Sequence, residues 1–148
     1  MRPWRLETPR GTISCTYVLH ATNGYSSALL PHLRGPNGVV PTRGQIIALR
    51  AAASAEKITT SGYTANEGFE YWFPRPVDHP ETDAPLVILG GGREIVRPRF
   101  ELGEVDDSKT DPKVGEVLRK FLPSVFPGMY QEDREPEMEW VSSTLAGA

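Results

Sequence analysis

Asp111-Pro112-Lys113-Val114-Gly115-Glu116-Val117-Leu118-Arg119-Lys120-Phe121-Leu122-Pro123 is the stretch that decides the fold. Asp111 suits an N-cap, because its carboxylate can accept from the unpaired amides of a first turn, and Pro112 suits the first helical position. Val114, Val117, Leu118, Phe121 and Leu122 fall at the spacing of one apolar helical face. Glu116 and Lys120 form an i,i+4 pair on the other side. Pro123 is expected to end the helix. A helix with one apolar face needs a surface to cover, and the rest of the chain must supply it.

The flanking sequence supplies strands. On the C-terminal side, Glu137 to Val141 alternates as a final strand. On the N-terminal side, Leu86 to Leu89 runs into Gly90-Gly91-Gly92, and Phe69 to Phe73, Ile58 to Thr64 and Gln45 to Leu49 are further strand candidates. Pro74 to Pro85 is a turn-rich connection, Leu33 to Pro41 a crossing loop, and Arg50 to Lys57 a helical turn or exposed loop. Trp4 to Thr8 and Thr12 to Leu19, separated by Pro9-Arg10-Gly11, read as a β-hairpin. Tyr17 to Ala21 is nearly continuous in apolar character, as a buried strand would be. Ser26 to Leu30 is a helical turn stopped by Pro31. The expected class is α+β: a mostly antiparallel or mixed sheet with one main helix on a face.

Composition narrows the function. The chain has 148 residues with 14 Gly and 14 Pro, which favours turns and short strands over long helices. A net charge of −3 gives no basic field for nucleic acid. The longest apolar run is about six residues, far below the ~20 needed to span a bilayer. A single cysteine, Cys15, rules out an internal disulfide framework and any CxxC motif. The N-terminus carries no apolar signal region, and a reducing, cytoplasmic setting is expected.

Most individual motifs have plain readings. Gly90-Gly91-Gly92 follows a strand, but Ile95 stands where a dinucleotide loop needs its third glycine and Pro98 interrupts any helix. These glycines are expected at a strand end where backbones approach closely. His20, His32 and His79 are scattered, without zinc-site spacing. Cys15 and His20, five apart on one expected strand, would point to opposite faces, and Cys15 reads as a buried structural residue. Glu101 to Asp107 lacks the glycine and terminal glutamate of a calcium loop and reads as solvated. Trp4, Trp72 and Trp140 read as core aromatics.

The order of several segments resembles the D-amino-acid oxidase superfamily of FAD-dependent oxidoreductases, and its fungal branch in particular. Thr8-Pro9-Arg10-Gly11-Thr12-Ile13, Tyr17 to Tyr25 and Leu29-Leu30-Pro31 resemble that family's hairpin, last FAD-domain strand and following turn. Pro41-Thr42-Arg43-Gly44-Gln45 is similar to its P-x-R-G-Q segment, and Tyr71-Trp72-Phe73-Pro74 to its Y-x-x-P strand. Leu89 to Glu94, then the helix with Phe126-Pro127-Gly128, then Glu137-Met138-Glu139-Trp140 complete the series, which spans roughly residues 4 to 140.

The resemblance implies two parts: residues 1–31 as a piece of the FAD-binding domain and residues 32–148 as a truncated substrate-binding domain. It implies that Ala21, Thr22 and Asn23 face FAD, that Arg43 lies near the flavin, and that the Tyr71 hydroxyl binds a substrate carboxylate. Without the resemblance, Tyr71 reads as a core strand aromatic. In the family, FAD takes a hydride from the amine-bearing carbon while the protein positions and polarises. No general base can be named. The family's phosphate loop and the arginine that usually clamps the carboxylate have no counterpart in these residues. The chain is therefore expected to be an internal fragment of an enzyme that oxidises the C–N bond of an amino acid or amine, inactive alone and not retaining FAD. The alternatives are a non-catalytic module that pairs with a full-length relative or self-associates through exposed strand edges, and a truncated product without function. Some relatives are peroxisomal, but no SKL-type signal ends this chain.

Overall fold

The computed structural model describes residues 3–35, 37–96 and 98–146 of the chain. A hairpin of β1 (Trp4–Thr8) and β2 (Gly11–Cys15) forms a two-stranded sheet of its own, with Trp4 opposite Cys15. A 3-10 turn at Asn23–Tyr25 and the short helix α1 (Ser26–Leu29) follow. The main sheet contains β3 (Val40–Arg50), β4 (Tyr63–Ala65), β5 (Glu70–Pro74), β6 (Leu86–Gly91) and β7 (Met138–Ala146). Its order is β4-β5-β6-β3-β7, with every neighbouring pair antiparallel. Helix α2 (Pro112–Val125) lies on one face. The α+β expectation holds.

The helix forms as its pattern requires. The Asp111 carboxylate accepts from the Lys113 amide at 2.8 Å, and Lys120 Nζ donates to Glu116 Oε1 at 2.6 Å. Val114, Leu118 and Leu122 are buried against Ile47, Leu49, Trp72, Val87 and Leu89, with Phe121 packed at the margin. Each fully buried Leu or Ile contributes about 2 kcal/mol. Trp72 meets Phe121 and Phe126 edge-on, with ring centres 5.6 and 6.0 Å apart. Gln45 anchors the helix start to β3. Its Oε1 accepts from the Asp111 amide at 2.7 Å, and its Nε2 donates to the Asp111 carbonyl at 3.1 Å.

Several expectations need correction. Helix α2 runs through Pro123 to Val125. A proline this near the end removes only one intrahelical bond, Pro123 itself is buried, and the Phe126 amide still reaches the Leu122 carbonyl at 2.9 Å. Tyr17 to Ala21 is not a strand: β2 stops at Cys15, and Tyr17 and Leu19 are 77% and 92% exposed. A buried strand needs pairing partners and cover on both faces, and no described element supplies them. Cys15 and His20 therefore share no strand, and Cys15 is only half-buried. Of Ile58 to Thr64, only the last two residues enter a strand, and the buried Ile58 belongs to a turn. Trp4 is 61% exposed, so of the three tryptophans only Trp72 belongs to the core cluster. No helix among the described residues is long and apolar enough to cross a membrane.

Candidate functional site

The unbroken register between β3 and β7 sorts the sheet into two faces. Arg43, Gln45, Ile47 and Leu49 share the face under α2, because Gln45 binds the helix N-cap and Ile47 packs in its core. Thr42, Gly44, Ile46 and Ala48 share the other face, on which Thr42, Ile46 and Ala48 are buried while Tyr71, Phe73 and Met138 are exposed. Across the sheet, Tyr71, Gly90, Ile46 and Trp140 form one row on that face. Phe73, Ile88, Ala48 and Met138 form the next.

Tyr71 is the centre of this surface. Its ring lies over Gly90 so closely that a β-carbon there would stand 2.4 Å from Tyr71 Cζ and 2.5 Å from its hydroxyl oxygen. The strand-end reading of the three glycines is thus correct, for a different neighbour at each. Gly91, at φ +141°, has Phe69 and Glu70 backbone where a side chain would go, and Gly92, at φ +72°, faces Val114. Tyr71 is 38% exposed, not a core aromatic. Its hydroxyl has no hydrogen-bond partner among the described residues, and partial burial raises its pKa. The phenol therefore stays protonated at neutral pH and can donate. On the same face a β-carbon at Gly44 would meet only the Ser142 carbonyl, at 3.7 Å.

Arg43 sits on the opposite face. Its Nε donates to Glu101 Oε2 at 2.5 Å, and its Nη1 donates to the Asp106 and Lys109 carbonyls at 3.2 and 3.4 Å. Contact with Glu101 raises the guanidinium pKa further. The acidic loop is consequently not simply solvated. Where β6 has ended, the loop continues the β3 ladder: the Arg43 amide reaches the Glu101 carbonyl at 3.3 Å, and the Gly103 amide reaches the Pro41 carbonyl at 2.8 Å. Phe100 and Glu101 accept positive φ angles of 49° and 63° to make this connection. Tyr25 ties the same loop to the 3-10 turn, donating to Asp107 Oδ2 at 2.7 Å.

Ala21 and Asn23 are exposed and Thr22 is half-buried beside this turn, which packs against β3 and β7. The Thr22 hydroxyl lies 3.0 Å from that of Ser26. The structure thus places Ala21, Thr22 and Asn23 together, Tyr71 on the face away from α2 and Arg43 on the α2 face.

Sequence reasoning missed Glu70, which is fully buried next to Tyr71. Asn66 Nδ2 donates to its Oε2 at 2.5 Å, and its carboxyl faces that of Glu94. Burial first, then the contact with the Glu94 carboxyl, raises the Glu70 pKa. Only its position between Phe69 and Tyr71 in an alternating strand could have signalled this.

The described residues do not make a complete FAD site. Gly92 leads into a 3-10 turn of three residues (Arg93–Ile95), with no helix to seat a pyrophosphate, and Arg43 is held by Glu101. Tyr71 supplies an exposed phenol donor on the face of the sheet away from α2.

The chain matches the family model of FAD-dependent oxidoreductases over residues 1–145. No curated protein and no solved structure matches it. With nearly its whole length matched, the chain belongs to the FAD-dependent oxidoreductase family.

Proposed function

We propose that the Tyr71-bearing face of the five-stranded sheet is the substrate side of an FAD-dependent enzyme that oxidises the C–N bond of an amino acid or amine. The observation that carries this reading is the Tyr71 hydroxyl, which has no hydrogen-bond partner among the described residues and belongs to an exposed side chain lying over Gly90. A protonated phenol with no internal partner suits a carboxylate, and hydrogen bonds to charged acceptors are stronger than neutral ones. Residues 1–31 then belong to the cofactor side and residues 32–148 to the substrate side. Supplied to such an enzyme, FAD takes up the hydride; this chain's part is to bind and orient the amine.

The test is titration of the purified chain with acetate and glycine, using glycerol as control, followed by NMR. Resonances of Tyr71 and Gly90 should shift with the two carboxylates and not with glycerol, and Tyr71→Phe should abolish the shifts. Carboxylates that leave Tyr71 unmoved would overturn the reading.

A second reading draws on the hairpin. Trp4, Leu6 and Ile13 are 61%, 38% and 53% exposed on a two-stranded sheet with free edges. Such a surface supports association with another chain, either a second copy or a full-length relative.

A further inference from the structure

We propose that the outer edge of β7 pairs antiparallel with the same edge of a second copy of this chain, joining the two five-stranded sheets edge to edge. The two edges of the sheet are unequally protected. At one, β4 is only three residues long (Tyr63–Ala65) and runs into a turn in which Asn66 and Glu67 take φ angles of 48° and 58°. A short strand that turns away gives another chain little to pair with. At the other, β7 runs for nine residues (Met138–Ala146), in a register with β3 that no bulge interrupts. Its one neighbour is β3, so its outer amides and carbonyls have no strand to bond among the described residues. The edges of the hairpin are shorter, five residues each.

Nothing in the sequence of β7 guards that edge. It holds no proline, lysine or arginine, the residues that commonly blunt an edge strand. Its single charge, Glu139, is taken up on the α2 face, where Gln45 Nε2 donates to its Oε1 at 2.6 Å and Arg119 Nη1 stands 3.8 Å from its Oε2. Helix α2 packs over β3 and β6, back from the edge. The 3-10 turn Asn23–Tyr25 touches both β3 and β7, so it lies over a face and not along the edge. Charge selects a second copy as the occupant. A two-fold axis at Ser142 sets Trp140 opposite Thr144 and Glu139 opposite Leu145. No like charges meet, and the two Glu139 carboxylates fall at opposite ends of the joint. Residues opposite one another on antiparallel strands share a face, so the two α2 helices stay on one side. Tyr71, with β6 and β3 between it and β7, stays clear of the joint.

The experiment is sedimentation equilibrium of the whole chain under reducing conditions. A dimer should form with a Kd on the order of 100 µM, weak because one pair of strands covers far less than a standard interface. Ser142→Lys sets two ammonium groups opposite one another at the axis and should weaken association at least about tenfold. Its melting temperature should stay that of the parent, because Ser142 faces Gly44, where there is room for a longer side chain. Ser142→Cys in a Cys15→Ser background should form a covalent dimer on oxidation, since residues opposite one another on antiparallel strands come within disulfide reach. That variant decides the matter if Ser142→Lys folds poorly, and its failure to cross-link would overturn the proposal. So would a chain that stays monomeric at about 1 mM, or a dimer broken by Ile13→Lys in the hairpin and indifferent to Ser142→Lys. Carboxylate binding at Tyr71 is read separately and stands or falls on its own titration.

Discussion

Replacing Glu70 by glutamine should make stability less dependent on pH, raising it in alkali and barely changing it in mild acid. Glu70 is fully buried on β5, facing the Glu94 carboxyl and receiving the Asn66 amide. Its raised folded pKa means that the folded state binds a proton which the unfolded chain releases nearer pH 4.5. The stabilising contribution is therefore fully present below the unfolded pKa and is lost as pH rises through the folded one. Above that point two carboxylates face each other in the interior. The glutamine side chain of Glu70→Gln keeps the shape, offers an N–H to Glu94 and a carbonyl to Asn66, and never ionises. The difference at about pH 9 should approach that of one hydrogen bond to a charged group, about 1–3 kcal/mol in favour of the variant. For a domain of this size that is a rise of roughly 2–4 °C in Tm per kcal/mol. Urea unfolding of both proteins from about pH 5 to 9 measures it, and titrating groups other than Glu94, which contacts Glu70, cancel in the difference. Parallel profiles, or a variant weakened equally at every pH, would refute the reasoning from the raised Glu70 pKa.

Leu118→Ala should cost about 2–5 kcal/mol, since Leu118 is wholly buried where α2 meets the sheet; an unchanged urea midpoint would contradict that packing. Arg43→Ala leaves Glu101 with its side chain only 10% exposed and without its cation, so a loss of about 3 kcal/mol is expected, together with protease cleavage within residues 100–110. Arg43→Lys should rescue it only in part, because an ammonium cannot reproduce the guanidinium's three contacts. Amide exchange should be fast at residues 4–21 and slow in β5 and β6, and uniform protection in a monomer would show that the hairpin is better held than its exposure indicates. The chain purified alone should lack a flavin absorption band, and a yellow preparation would mean that its residues hold FAD without a phosphate loop.

How much of this is legible in the sequence depends on whether the deciding contact is local. The helix is readable because capping and periodicity act within a few residues, and the antiparallel sheet follows because its glycines and prolines mark strand ends. The 17–21 segment misleads because burial of an apolar run belongs to its neighbours, and the sequence of the run does not say whether it has any. The Arg43–Glu101 pair joins residues 58 apart, so nothing near Arg43 announces it.

The strand carrying the site shows the point most sharply. Phe69-Glu70-Tyr71-Trp72-Phe73 alternates, and period two puts Glu70 and Trp72 on one face, with Tyr71 and Phe73 on the other. The ordinary rule sends a glutamate to water, which would bury Tyr71 and Phe73 and expose Trp72. The structure does the reverse: Glu70 and Trp72 are buried, and Tyr71 and Phe73 face outward. That inversion is eased because burial raises the Glu70 pKa, which favours its neutral form, and because Asn66 donates to its Oε2. The buried carboxyl and the accessible phenol are thus two consequences of one register. Any change that drives Glu70 to ionise and seek water pulls on the strand that holds Tyr71 over Gly90. Carboxylate binding at Tyr71 should therefore weaken as pH rises through the Glu70 transition, and it should cease to do so in Glu70→Gln.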